Sequence, residues 1–250
     1  MAVQNWKLYK SLKVPGVVAM LPLHDYYTLK SLIAAIMLEI ICKGSEFFTL
    51  RFIENHKLAY IICNLMASIG TWVSFTFIYL LINSFSSAED QKDNKFVSIV
   101  RISLCWFCAL PWGILPFFGY GVFIKSGNGA FCGPAWASEN LYDQVYFILM
   151  YALGFVIPLV YCAIINWMKG SNKNEKPGYK SFHSLPQTLL LEVIFYVVVL
   201  WIPYGLWGFV KMIWGNINEP IDFVVLIIAH FCYVITPNKL STHLEKMCSF

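Results

Sequence analysis

His230 stands in the middle of Ile228-Ala229-His230-Phe231-Cys232-Tyr233-Val234-Ile235, an apolar run that ends at Thr236-Pro237. An ionisable side chain in such a run is costly, and it marks a ligand contact, a proton pathway or a partner on a neighbouring helix. Imidazole can titrate near neutral pH; a packing histidine bonded to a nearby hydroxyl or carbonyl is the plainer alternative. A second constellation is Trp201-Ile202-Pro203-Tyr204. The proline removes a helix hydrogen bond and bends the segment, and the indole beside the bend can respond to whatever fills the adjoining space. Pro158 and Pro237 punctuate two further runs in the same way. Cys105-Trp106-Phe107-Cys108 has a C-x-x-C spacing but no second pair of ligands, so no metal site is expected. Neither H-E-x-x-H, G-x-S-x-G nor a P-loop occurs, which argues against an enzyme. A channel would want an arginine ladder or a filter-like loop, and a transporter would want repeated halves; neither is found.

The elements that must position these residues follow from composition. Of 250 residues, 58% are hydrophobic and only 13% charged, and the mean hydropathy is +0.62. A soluble domain carries about 25% charged residues. Six apolar runs occupy about 14–42, 58–82, 96–123, 144–168, 188–212 and 221–237. Most are long enough to cross roughly 30 Å of hydrocarbon. They are continuous rather than alternating, which favours helices over a barrel. The expected fold is an all-α membrane protein, a helical bundle forming a single domain over 1–250. The net charge of +4 comes from short loops rather than a basic stripe, so nucleic acid is not an expected partner and the lipid bilayer is. Lysines concentrate in the N-terminal arm, the loops after the second and fourth runs and the tail, which places both termini in the cytoplasm. Met1 to Lys13 is polar and does not read as a secretory signal. Trp136, Tyr142, Trp167 and Trp214, near run ends, read as interfacial anchors.

Several motifs resemble one family. Leu200-Trp201-Ile202-Pro203-Tyr204 is similar to the C-W-x-P-Y signature of the sixth helix in rhodopsin-like G-protein-coupled receptors, with Leu for Cys. Trp106, Pro116 and Gly119-Tyr120 resemble the fourth helix of opsins, Cys132-Gly133-Pro134-Ala135-Trp136 their second extracellular loop, and Phe155-Val156-Ile157-Pro158-Leu159 their fifth helix. Opsins read F-A-K followed six residues later by N-P-x-x-Y; here Ile228-Ala229-His230 precedes Thr236-Pro237-Asn238-Lys239-Leu240. The resemblance extends over roughly 15–240 and starts at the family's second helix. A truncated reading of the gene and a true six-helix protein both accommodate that start. The resemblance implies that Asp25 is the sodium-site acid of the second helix. It also implies that Cys132 pairs with Cys63, and that Trp201, Tyr204 and His230 contact ligand.

The departures shape the functional expectation. His230 replaces the retinal-binding lysine, and an imidazole forms no stable imine, so no cofactor is expected and a covalent visual pigment least of all. Aligning the second run on Gly70 puts the family's counterion position at Ile62, and aligning it on Cys63 puts it at Met66; neither is a carboxylate, nor is Ser126 in the loop. The E/D-R-Y arginine is absent in either register, and N-P-x-x-Y has lost its tyrosine, which counts against the usual coupling to a heterotrimeric G protein. The expectation is an opsin-like receptor of the plasma membrane for a small, chemosensory ligand. The alternatives are a non-signalling scaffold or remnant, and a non-covalent retinoid binder. Cys248 is a palmitoylation candidate in the tail.

Overall fold

A backbone surrounded by hydrocarbon has no water to satisfy its amides, so the apolar runs close their hydrogen bonds within themselves. The computed structural model describes residues 23–53, 55–87, 95–126, 131–171, 187–215 and 219–248. Its elements are α1 (Leu23–Phe52), α2 (His56–Ser87), α3 (Lys95–Ile114) with a 3-10 turn at Leu115–Phe118, and a hairpin of β1 (Phe123–Ser126) and β2 (Phe131–Pro134). They continue with α4 (Leu141–Tyr151), a π-helical turn (Ala152–Val156), α5 (Ile157–Ser171), α6 (Gln187–Trp214), α7 (Glu219–His230) and α8 (Cys232–Cys248). Among the described residues, five stretches are long and apolar enough to cross a membrane: Lys57–Ser84, Lys95–Phe118, Leu141–Ile164, Leu191–Trp214 and Val224–Thr242.

Three boundaries differ from the sequence expectation. The first helix does not end near 42 but runs to Phe52. Its polar stretch is satisfied locally, because Ser45 Oγ donates to the Cys42 carbonyl at 2.9 Å and Lys43 Nζ to Glu46 at 3.0 Å. The start of that run, 14–22, lies outside the described residues. The third run does not stay helical to 123. Gly119, at φ +85, closes its last turn, and Phe123 already belongs to β1. The last run is two helices, interrupted at Phe231 and continuing far beyond Pro237.

The hairpin is antiparallel, with Lys125 opposite Cys132. It starts only because Gly121 takes φ +80, and a Cβ there would lie 2.0 Å from the Tyr146 ring. The central helix is α2, which touches α1, α3, α5, α6 and both strands. Between α1, α2, α6 and α8 the core is mostly aliphatic and buried, with Leu29, Leu32, Ile36, Leu80 and the single ring of Phe77 at its centre. Towards the hairpin it becomes aromatic, with Phe75, Trp136, Tyr146 and Phe147. Gly154 in the π turn lets this layer close, since a Cβ there would sit 1.7 Å from Phe75. Large apolar side chains such as Phe107, Phe195 and Leu206 face outward, where lipid covers them.

Candidate ligand cavity

Helix direction and pitch bring residues from distant runs to one space under the hairpin. α6 contributes Trp201 and Tyr204, the end of α7 contributes His230, and α2 contributes the bare backbone of Gly70. The space measures about 730 Å³ with its open mouth counted, of which about 80 Å³ is room for the centre of a water-sized molecule. Three of the residues expected to contact ligand therefore do meet. Their rings form a continuous line: His230 to Trp201 is 5.8 Å, Trp201 to Tyr204 is 5.7 Å, and Tyr204 to Trp136 is 5.9 Å. Trp201 Nε1 donates to the sulfur of Cys232 at 3.4 Å, which fixes the indole against α8. Pro203 lies inside α6, Pro158 follows the π turn at the start of α5, and Pro237 lies inside α8.

Trp136 corrects the sequence expectation. It is not an interfacial anchor but a buried wall of the cavity, 5% exposed, packed on Phe147 at 5.2 Å. Tyr142, Trp167 and Trp214 are exposed, as anchors require. Cys63 and Cys132 form a disulfide that ties β2 to α2. Asp25 falls on α1, but its side chain lies outside the described residues, as does that of Cys248.

The carboxylate that sequence registers do not find at Ile62, Met66 or Ser126 comes from another helix. Glu39 of α1, 2% exposed, faces His230, with Oε1 3.4 Å from Nε2. The other ring nitrogen, Nδ1, lies 2.8 Å from the Leu226 carbonyl oxygen. A carbonyl only accepts, so Nδ1 must carry a proton. Nε2 faces the carboxylate oxygen across that 3.4 Å, and no hydrogen bond joins the two groups. Neither Glu39 oxygen receives a hydrogen bond from any described residue. Lys43, which also lines the cavity, is paired with Glu46, whose other oxygen accepts the Cys132 amide. The sequence signal for Glu39 is that it is an acid in an otherwise apolar stretch of a membrane run.

A sequence profile described as 7 transmembrane receptor (rhodopsin family) matches residues 26–238. The chain belongs to that family, and is an opsin-like, multi-pass integral membrane protein with a helical-bundle fold. Rhodopsin of Camponotus atriceps is 30% identical over 124 residues, covering 47% of this chain and 32% of the relative. Rhodopsin of Procambarus milleri is 26% identical over 175 residues, covering 62% of this chain and 58% of the relative. The matches thus span between about a third and three fifths of these relatives' length. The crystal structure of squid rhodopsin superposes with a TM-score of 0.80 over 98% of this chain and 79% of that one, at 15% identity. That likeness concerns the fold.

Proposed function

We propose that the chain is a signalling receptor of the plasma membrane for a small molecule held without a covalent bond, and not a retinal photoreceptor. The observation that carries this reading is His230: the side chain at the bottom of the aromatic line is an imidazole, which cannot condense with an aldehyde to a stable imine. The primary amine of Lys43 is also at the cavity, but Glu46 holds it as an ammonium at 3.0 Å, and an ammonium has no lone pair to attack an aldehyde. Ligand would rest between α2, α5, α6 and α7, and its arrival would be read by Trp201 beside the Pro203 bend. Both termini then lie in the cytoplasm, and a heterotrimeric G protein is the partner that family membership favours. The missing E/D-R-Y arginine supports weak coupling.

Two measurements test this. Retinal added to the purified chain and followed by borohydride reduction should leave no retinyl adduct in intact mass spectra. An adduct on any lysine would overturn the non-covalent reading. Small odorant-like molecules should raise nucleotide exchange on co-expressed G proteins; silence across G-protein classes, despite measured binding, would favour a non-signalling scaffold.

A further inference from the structure

We infer that Glu39 anchors the ammonium group of a small amine with an apolar body, so that the cavity selects cationic ligands. This rests on the reading of the cavity as a ligand site and specifies its ligand class. The argument begins with charge. Among the described residues that line the cavity, the acid is Glu39 and the ammonium is Lys43, and Lys43 is paired with Glu46 on its own helix. Lys43 and Glu46 satisfy each other, and Glu46 is engaged further by the Cys132 amide. Glu39 is thus left 2% exposed with His230 at 3.4 Å but no hydrogen-bond donor at either oxygen, and it lines the space directly. A buried carboxylate left in that state is strongly unfavourable. A ligand cation supplies the missing partner.

The walls match a cation with an apolar body. Trp201, Tyr204, Trp136 and Phe75 present ring faces and edges around the space. Aromatic faces attract ammonium groups and also pack against hydrocarbon. On α2 the neighbour of Glu39 is Gly70, where an added Cβ would lie 3.5 Å from Oε2. Gly70 itself puts no side chain over that oxygen, which leaves room there for a donor from the ligand. An acidic ligand finds no free partner, because the one lysine at the cavity is already paired.

The test measures binding to the full chain in lipid nanodiscs, using amines from propylamine to phenethylamine with the matched alcohols and carboxylates. Phenethylamine should bind at least about tenfold more tightly than phenethyl alcohol or hydrocinnamate. Glu39→Gln should weaken amine binding on the order of 30-fold or more, as removal of one partner from a buried charge pair does. It should leave the alcohol unchanged, and the melting temperature of the variant confirms that it is folded. Alcohols or carboxylates binding as tightly as amines, or an unaffected Glu39→Gln, would overturn the amine assignment and leave the small-molecule receptor standing. Failure of the whole panel to bind would overturn both.

Discussion

Asp143 and Glu39 are two carboxylates of the same bundle, 3% and 2% exposed, and they are treated in opposite ways. Asp143 sits in the first turn of α4, where the positive end of the helix dipole favours an anion. It accepts the amides of Gly121 and Val122 at 2.9 and 3.2 Å and the hydroxyl of Ser138 at 2.7 Å. Its charge is fully used to fix the approach of the hairpin to α4. Glu39 sits far from either end of α1, beside a histidine, with no donor at either oxygen. The first carboxylate is part of the scaffold. The second is held in reserve, and its cost is tolerable only if something other than the fold uses it. Burial alone would have ranked the two equally; their hydrogen bonds separate them.

The largest effect expected from this contrast is at Asp143. Asp143→Ala should cost about 3 kcal/mol, since charge-assisted hydrogen bonds are lost and the buried Gly121 amide is stranded, seen as a lower melting temperature in nanodiscs. A variant as stable as the parent would erase the distinction. Next comes Glu39→Gln without ligand. It should leave the melting temperature level or raise it, because replacing a buried, poorly paired charge is often neutral or stabilising. A fall as deep as that of Asp143→Ala would make Glu39 structural after all. The smallest effect is at Tyr233, whose hydroxyl donates to Ser74 at 2.8 Å between α8 and α2. Tyr233→Phe should cost about 0.6 kcal/mol, the average for such bonds between membrane helices. Its melting curve calibrates the other two.

Much of the bundle is legible in the sequence, because a bilayer turns long apolar runs into helices with little choice. The histidine spacing and the Trp201-Ile202-Pro203-Tyr204 motif single out three residues that the fold brings to one cavity. What stays hidden depends on rotation and on tertiary partners. Whether Glu39 points to lipid, to water or to His230 depends on the angular setting of α1, and that is fixed by Leu29, Leu32 and Ile36 packing into the core. Trp136 reads as an interfacial anchor because it lies near a run end, yet the hairpin folds it inward. α1 outlasts its apolar stretch because Lys43, Ser45 and Glu46 find partners inside the fold, and no window of hydropathy can see them.

The π turn at Ala152–Val156 bears on chain length as well as on shape. A π turn is an α-helix with one residue too many, and here the surplus lies between Tyr151 and Pro158. Removal of a single residue from this turn should therefore reset it to ordinary helix, with α4 and α5 keeping the faces they now present. The same excision in mid-α5, for instance of Cys162, would swing everything beyond it by about 100°. Expression yield and melting temperature of the two deletions should differ accordingly. The turn is thus a point where the gene could lose a codon in frame without disturbing the rest of the bundle.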